Sequence, residues 1–299
     1  MNSPHSFDQH IATIEAYLDR LLVPVDADTQ VLIDSARYSS LGVGKRVRGL
    51  IVLSMGELLD SKKNFLPLAA GFELIHTYSL IHDDLPAMDD DDLRRGKPSN
   101  HKAFGEAVAI LTGDYLLPLS YELFSEGLQK EGFPADNILR MIGYLSRNIG
   151  AAGMVGGQVM DIEYTGHDID LLTLEKLHLY KTGLFIEAAF VCPLILVHGN
   201  VEWLQPFSMG MYARSLGLLF QIVDDILDEM GNEAQLGKPK GSDKKQGKST
   251  YVSLLGLDGA RKKAKELYEV IGLMLQDVTR PDIQDMLRMY LEWIYKREF

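Results

Sequence analysis

The stretch from Phe72 to Gly96 constrains the fold most, because an apolar helix runs directly into a dense cluster of acids. Up to Asp84, apolar side chains occur on most sides of the predicted helix, as in the centre of a large helical protein. Pro86 then ends the helix. Six aspartates lie within the ten residues from Asp83 to Asp92. Because these carboxylates repel one another and a helix C-terminus favours cations, we expect a bound cation here.

Two interpretations of the acidic cluster remain open. The run from Asp89 to Asp92 is also what an ordinary solvated loop contains. Asp83 and Asp84 are harder to explain in this way, because they close an apolar helix. His76 lies seven residues before Asp83, on the same helix face. A divalent cation that takes hard oxygen ligands and keeps positions open for phosphate fits these carboxylates, which describes magnesium.

A second acidic helix is predicted between Gly217 and Gly231. Four polar side chains recur there at the i, i+3, i+4, i+7 spacing that normally forms an apolar stripe, namely Gln221, Asp224, Asp225 and Asp228. Apolar neighbours cover the other sides, so we expect the carboxylates to point inward, where unpaired charge is costly. A buried salt-bridge network is the alternative. Two acidic helices at one cavity favour a site where several metal ions bind a diphosphate.

The two motifs resemble those of the trans-isoprenyl diphosphate synthases. Asp83-Asp84-x4-Asp89 is similar to the first aspartate-rich motif of that family, and Asp224-Asp225-x2-Asp228 is similar to the second. The four-residue gap in the first motif resembles the bacterial farnesyl diphosphate synthases and the related geranylgeranyl enzymes. The similarity extends over 42–251, with the motifs in family order. It implies that these six aspartates bind three magnesium ions, with manganese as the alternative ion.

A basic segment before the first motif could bind phosphate. The segment 42–48 places glycines and three cations at a predicted helix start, where the N-terminus itself favours an anion. A solvated basic turn is the alternative. The segment resembles the family motif GGKRxRP, with Val43 in place of a glycine and Gly49 in place of the proline. The resemblance implies that isopentenyl diphosphate is bound by Lys45, Arg48, His76 and Arg95.

A second cationic group lies in the later half of the chain. Lys181 and Thr182 precede Gly183 within a long apolar helix, where a glycine permits a local kink. A lysine in mid-helix usually belongs to the surface. The resemblance implies instead that the allylic diphosphate is bound by Lys181, Thr182, Gln221 and Arg94.

The segment 231–247 is rich in glycine and lysine and is predicted to be a mobile lid. Lys238 and Lys248 match the lid lysines of the family. Gln158 and Asp161, from another family motif, share a helix face, and either hydrogen bonding within the fold or catalysis would explain them.

The resemblance implies a prenyl transfer. Metal ions and cations neutralise the diphosphate that leaves the allylic substrate, and the double bond of isopentenyl diphosphate attacks the resulting carbocation. In the family, the departing diphosphate takes the proton that is then lost. Dimethylallyl and geranyl diphosphate would thus yield (2E,6E)-farnesyl diphosphate. The residues expected to act directly are Asp83, Asp84, Asp89, Arg94, Lys181, Asp224, Asp225 and Lys238.

Tyr78 is the candidate for setting product length. It lies five residues before Asp83, about 7.5 Å along the helix, and Ser79 follows it. In bacterial farnesyl synthases an aromatic residue at this position stops elongation at fifteen carbons. A tyrosine that only packs in the core is the alternative.

Helical periodicity runs through the chain without a convincing strand, which predicts one all-α domain of 299 residues. The resemblance implies a bundle of roughly ten or more helices around a deep central cavity. The formal net charge of -12 argues against nucleic acid as a partner.

The single cysteine, Cys192, fits a reducing cytoplasm. No signal peptide is expected, and the apolar run 184–197 contains Glu187 and Pro193 and is too short to cross a membrane. The resemblance implies a homodimer.

Four rival functions remain. The first is a geranylgeranyl or longer-chain synthase of the same family, and only Tyr78 argues against it. A terpene cyclase would not need the group of Lys45, Arg48 and His76 for a second diphosphate. A non-catalytic synthase subunit typically lacks one acidic motif, and both are present here. An acidic helical scaffold that only binds divalent cations leaves the cationic groups unexplained.

Overall fold

The fold is taken from a computed structural model, which describes residues 4–42, 44–60, 62–200, 204, 207–230 and 247–297. These residues form helices joined by short turns, together with one antiparallel pair of two-residue strands. The predicted all-α class is therefore confirmed.

The helices are numbered in chain order. The first seven are α1 (Pro4–Leu21), α2 (Gln30–Ser40), α3 (Val47–Leu59), α4 (Leu66–Asp83), α5 (Asn100–Phe104), α6 (Glu106–Glu122) and α7 (Leu128–Lys130). The others are α8 (Ala135–Ile149), α9 (Met154–Tyr164), α10 (Leu171–His178), α11 (Leu184–His198), α12 (Met209–Met230), α13 (Tyr251–Met274) and α14 (Pro281–Tyr295). Strands β1 (Leu93–Arg94) and β2 (Lys97–Pro98) form a hairpin. Two π-helical turns, Leu123–Gly127 and Leu179–Gly183, and the 3₁₀ turn Leu275–Asp277 extend neighbouring helices.

The chain divides into two compact units, Met1–Ile142 and Gly143–Phe299. In the first unit, α4 packs against α3 and α6. Nearly all of its first three turns are buried, so the prediction of a helix that is apolar on most sides is confirmed. Gly71 makes this packing close, because a Cβ there would lie 2.2 Å from the ring of Phe124.

In the second unit, α11 is the most buried helix, and α12 packs against α11, α13 and α14. The π-turn Leu179–Gly183 joins α10 to α11 in one run, Leu171–His198, of 28 residues. This run is longer than the segment 184–197 that the sequence suggested, and by length and apolarity alone it could cross a membrane. However, 83% of its most apolar window is buried inside the protein, as in the core helix of a globular fold.

Three local features differ from the helices that periodicity predicts. The helical stretch of α5 and α6 is interrupted at Gly105, whose φ of 87° lies in the left-handed region. The hairpin of β1 and β2 follows the acidic loop, where no strand was expected. Helix α13 is kinked at Gly256, which has φ 72° and ψ 164°. The predicted lid, 231–247, lies outside the described residues except for Gly247.

Candidate active site

The first aspartate motif is built by the end of α4 and the loop that follows it. The backbone N–H of Asp89 donates to the carbonyl of Asp83 at 2.9 Å, so the loop folds back on the helix end. Asp84 is buried, and the Nε of Arg94 on β1 donates to its carboxylate at 2.9 Å. Arg94 also lies 3.2 Å from a carboxylate oxygen of Asp91. One guanidinium group thus forms ion pairs with two aspartates of the cluster.

Burial alone would lower the pKa of Arg94, but its hydrogen bond to Asp84 and the charges of Asp84, Asp91 and Asp83 raise it overall. Arg94 therefore carries its charge at any physiological pH. The resemblance implies that Arg94 binds the allylic diphosphate, and in the structure its guanidinium group contacts the acidic motif.

The predicted isopentenyl site groups around His76. Burial is the main reason why the pKa of His76 falls well below its ordinary value, and the nearby charges of Arg48, Arg95, Arg46 and Arg94 lower it further. A neutral imidazole among several guanidinium groups is an environment that attracts anions. The structure thus brings His76 near Arg48 and Arg95, two of the residues predicted to share its site.

Lys45 lies on the exposed turn beside this group. A Cβ at Gly44 would lie 3.1 Å from a guanidinium nitrogen of Arg95, so the turn passes directly over that side chain. Helix α3 begins at Val47, because Arg46 has a φ of 47°. The Nε of Arg46 donates to Glu15 at 2.7 Å, which makes this buried arginine part of the fold.

The structure explains why glycine rather than proline occupies position 49 of the motif. The backbone N–H of Gly49 donates to Glu73 at 2.9 Å, and proline has no N–H to donate. A Cβ at this position would lie 2.8 Å from the side chain of Ile14. Val43, the other departure from the motif, lies outside the described residues.

Tyr78 and Ser79 lie one turn before the acidic end of α4. The ring of Tyr78 packs edge to face on His82 at 5.8 Å between centroids. Burial and then the charge of Asp83 raise the pKa of Tyr78 to about 12, so the hydroxyl is protonated. The Oγ of Ser79 donates to the carbonyl of His76 at 2.9 Å.

A pocket lies between α2, α4 and the hairpin. Its lining combines apolar and charged groups, namely Tyr38, Ser39, Leu41, Thr77, Leu80, Ile81, Asp84, Arg94, Arg95, Lys97, Pro98 and Asn100. Three of these were predicted site residues: Asp84, Arg94 and Arg95.

The second aspartate motif lies on α12, with Asp225 and Asp228 buried and Asp224 partly exposed. A carboxylate oxygen of Asp225 accepts the backbone N–H of Tyr251 at 2.7 Å. Tyr251 is the first residue of α13, so the positive end of that helix points at Asp225. The inward orientation predicted for these carboxylates is confirmed for Asp225 and Asp228.

His178 is a neighbour of this motif that the sequence did not reveal. Its ring stacks on Tyr251 at 5.6 Å between centroids, and its Nε2 lies 3.8 Å from Asp225. Burial is the main cause that lowers the pKa of His178 to about 4, so the ring is neutral. Its position depends on how α10 meets α12, which no local pattern indicates.

Arg297 is a second residue that sequence reasoning missed. Its guanidinium nitrogen lies 2.7 Å from Asp224, and the group stacks over Phe220 at 4.6 Å from the ring centroid. Phe220 and Asp224 are four residues apart on α12, so one side chain covers both. A cationic side chain thus lies against the first aspartate of this motif.

The predicted allylic group gathers around Asp161. Lys181 and Thr182 lie in the π-turn Leu179–Gly183, which confirms the local irregularity expected at Gly183. The Nζ of Lys181 lies 2.6 Å from Asp161 Oδ2, and the Nζ of Lys248 lies 3.1 Å from the same oxygen. Burial would raise the pKa of Asp161, but the two ammonium groups outweigh burial and the net shift is downward. Gln221 lies one turn before Asp224 on α12, and Lys238 lies outside the described residues.

Magnesium suits these motifs by its ligand chemistry, since it prefers carboxylate oxygens. Within the described ranges, no group of three or more histidine, cysteine, aspartate and glutamate side chains is arranged to hold a metal ion. Arg94 and Arg297 instead place positive charge on Asp84 and Asp224. Both motifs therefore hold a cationic group where the sequence predicts a metal.

The fold is all-α, and each of its two units carries one aspartate motif. The chain belongs to the family described as Polyprenyl synthetase, which it matches over residues 29–288. It is a prenyltransferase of the prenyl diphosphate synthase type.

Two curated relatives and one solved structure illustrate the range of the family. The chain is 42% identical to a farnesyl diphosphate synthase of Escherichia coli, over 90% of each chain. It is 43% identical to a putative chloroplastic geranylgeranyl pyrophosphate synthase 8 of Arabidopsis thaliana, over 85% of this chain and 71% of that protein. A geranyltransferase from Helicobacter pylori, complexed with magnesium and isoprenyl diphosphate, superposes with a TM-score of 0.86 at 29% identity, over 99% of both chains.

Proposed function

We propose that the protein condenses isopentenyl diphosphate with dimethylallyl diphosphate and then with geranyl diphosphate to form (2E,6E)-farnesyl diphosphate. The observation that carries this proposal is the set of cations around His76, because a second diphosphate needs its own site. A terpene cyclase acts on one diphosphate and would not need them. The relative from Escherichia coli supports the farnesyl product by its name.

The chain's own residues divide into three tasks. Lys45, Arg48, His76 and Arg95 bind isopentenyl diphosphate. Arg94, Lys181, Thr182, Gln221, Lys238 and Lys248 bind the allylic diphosphate and neutralise the charge that develops when its C–O bond breaks. The two motifs hold magnesium through Asp83, Asp84, Asp89, Asp224, Asp225 and Asp228. Magnesium, when bound, supplies electrostatic stabilisation of the leaving diphosphate.

The carbon–carbon bond forms when the double bond of isopentenyl diphosphate attacks the allylic carbon. Buried apolar side chains of α4 exclude water, which would otherwise capture the carbocation. The released diphosphate accepts the proton that leaves the new chain. Every bond that breaks is thereby balanced by one that forms.

Tyr78 is proposed to limit the product to fifteen carbons. Its ring is half-buried and lies one turn before the first motif. We propose that a growing prenyl chain meets the ring there. A geranylgeranyl product is the second candidate, since the Arabidopsis relative is named as a geranylgeranyl synthase.

Further properties follow from the family. We propose three magnesium ions per site, a homodimer, and action in the cytoplasm without nucleic acid or membrane partners. We also propose that the whole chain acts as one domain, because one family model matches residues 29–288.

The test is incubation of the purified protein with magnesium, isopentenyl diphosphate and dimethylallyl diphosphate, followed by removal of phosphate and chromatography of the alcohols. Farnesol as the main product is the expected result. Geranylgeraniol as the main product would support the proposed condensation but reject Tyr78 as the residue that limits product length. Absence of any condensation product would reject the proposed function.

A further inference from the structure

Asp161 on α9 lies against two lysines at once. Its Oδ2 atom is 2.6 Å from the Nζ of Lys181 and 3.1 Å from the Nζ of Lys248. All three side chains are largely buried, with exposed fractions of 12%, 26% and 14% for Asp161, Lys181 and Lys248. Two cations that share one buried carboxylate oxygen lie much closer together than their mutual repulsion would otherwise allow.

The backbone is built to bring these three residues together. Gly157 lets α9 touch the π-turn, because a Cβ there would lie 2.2 Å from the backbone nitrogen of Lys181. The N–H of Gly166 donates to the carbonyl of Gly247 at 3.0 Å, which fixes the chain just before Lys248 beside the end of α9. Backbone contacts therefore position both lysines, in addition to the contacts of their ammonium groups with Asp161.

A polar group on the same face of α9 supports a ligand at this place. Gln158 lies three residues before Asp161, and both polar atoms of its amide are buried without a hydrogen-bond partner among the described residues. Buried amides normally have such partners, so an unpaired one indicates a polar ligand.

We propose that Asp161 is a positioning residue that holds Lys181 and Lys248 together as one binding site for the diphosphate of the allylic substrate. This inference rests on the proposed function. The ammonium group of Lys181 has three N–H donors, and the one donated to Asp161 leaves two for phosphate oxygens. The cluster keeps a net charge of +1, so it still attracts an anion. Without the carboxylate the two lysines repel each other and regain the rotamer freedom of long side chains.

Replacing Asp161 distinguishes a positioning role from a purely electrostatic one. If the carboxylate only reduced the positive charge, Asp161→Asn would bind diphosphate more tightly. If it positions the lysines, binding becomes weaker by about tenfold, the scale of one hydrogen bond to a charged group. Glu163→Gln is the matched control, because it removes one negative charge from an exposed position on the same helix.

The experiment titrates inorganic diphosphate into the protein with magnesium by calorimetry. Asp161→Asn should weaken binding about tenfold, Glu163→Gln should leave it unchanged, and Asp161→Glu should give an intermediate affinity. In steady-state assays, Asp161→Asn should raise the KM for the allylic diphosphate and leave the KM for isopentenyl diphosphate unchanged. A merely structural role would not separate the two KM values.

Equal or tighter diphosphate binding by Asp161→Asn would overturn the proposal. If that variant does not fold, wild-type affinity in Asp161→Glu would overturn it, because the longer side chain displaces the carboxylate. A wild-type protein that binds diphosphate but forms no condensation product would reject the proposed function and leave the binding comparison valid. No diphosphate binding by the wild-type protein would reject the inference directly.

Discussion

At the scale of single residues, Tyr78 gives the sharpest prediction about chemistry. Replacing the ring by a methyl group opens space one turn before the first aspartate motif, so Tyr78→Ala should shift the main alcohol from fifteen to twenty carbons or more. Chromatography of the dephosphorylated products measures this shift. Tyr78→Phe is the control, since it keeps the ring and should keep the product. A farnesyl product from Tyr78→Ala would show that another residue limits the chain.

Glu187 carries a buried charge that belongs to the fold. Its carboxylate accepts the hydroxyl of Tyr144 at 2.6 Å and a guanidinium nitrogen of Arg214 at 3.0 Å. Arg214→Ala would leave this carboxylate buried without its cation. We expect a loss of about 2 kcal/mol in the free energy of unfolding, below the full cost of a broken buried pair because Arg214 is half-exposed.

Chemical denaturation measures this loss, and Arg288→Ala is the control. Arg288 is an exposed arginine on α14, and its removal should change stability by less than about 0.5 kcal/mol. Equal effects of the two substitutions would show that the pair at Glu187 does not stabilise the fold.

The sequence predicts the identity of many site residues but fewer of their contacts. The aspartates and the group of His76, Arg48 and Arg95 could be named from motif spacing, and the structure brings that group together. The reason for Gly49 could not be read from the sequence, because it depends on Glu73, 24 residues away in the chain.

At the scale of elements, the contact between α9 and the π-turn Leu179–Gly183 depends on Gly157. Gly157→Ala would force a Cβ against backbone atoms of Lys181, which cannot rotate away. We expect a loss of about 3 kcal/mol in the free energy of unfolding, typical of overpacking in a close contact. Thermal unfolding measures the change.

Gly272→Ala is the control for this substitution. Gly272 is a helical glycine on α13 with no atom within 4 Å of an added Cβ. Alanine there should be neutral or stabilise the helix by up to about 1 kcal/mol. A stable Gly157→Ala variant would contradict the close contact.

Helices were the most predictable elements, because long apolar runs indicate α4 and α11 and the i, i+3, i+4, i+7 spacing indicates α12. The break at Gly105 and the kink at Gly256 were not predictable, since a glycine inside a periodic segment does not reveal whether its φ is positive. The hairpin of β1 and β2 is too short to leave a pattern of alternating residues.

At the scale of the whole molecule, the segment that follows α14 contacts the second aspartate motif. Arg297, just after α14, lies on Asp224, where the proposed function requires magnesium. A guanidinium group and a metal ion compete for the same carboxylate, so Arg297→Ala should lower the magnesium concentration needed for half-maximal binding. We expect about a fivefold decrease, the equivalent of an ion pair worth about 1 kcal/mol.

The measurement is the thermal midpoint as a function of magnesium concentration in the presence of inorganic diphosphate. Lys296→Ala is the matched control, because Lys296 is the neighbouring cation and pairs with Glu292 at 2.9 Å. An unchanged magnesium dependence in Arg297→Ala would show that the contact does not compete with the metal. The sequence gives no sign of this contact, because only the packing of α14 on α12 brings the chain end to the motif.

The central claim is that two diphosphates react, and release of inorganic diphosphate tests it most directly. The protein is incubated with magnesium and isopentenyl diphosphate, with magnesium and dimethylallyl diphosphate, and with all three. Release that requires both substrates, with one diphosphate for each isopentenyl unit consumed, is the predicted result. Release from dimethylallyl diphosphate alone at the same rate, or no release with both substrates, would contradict it.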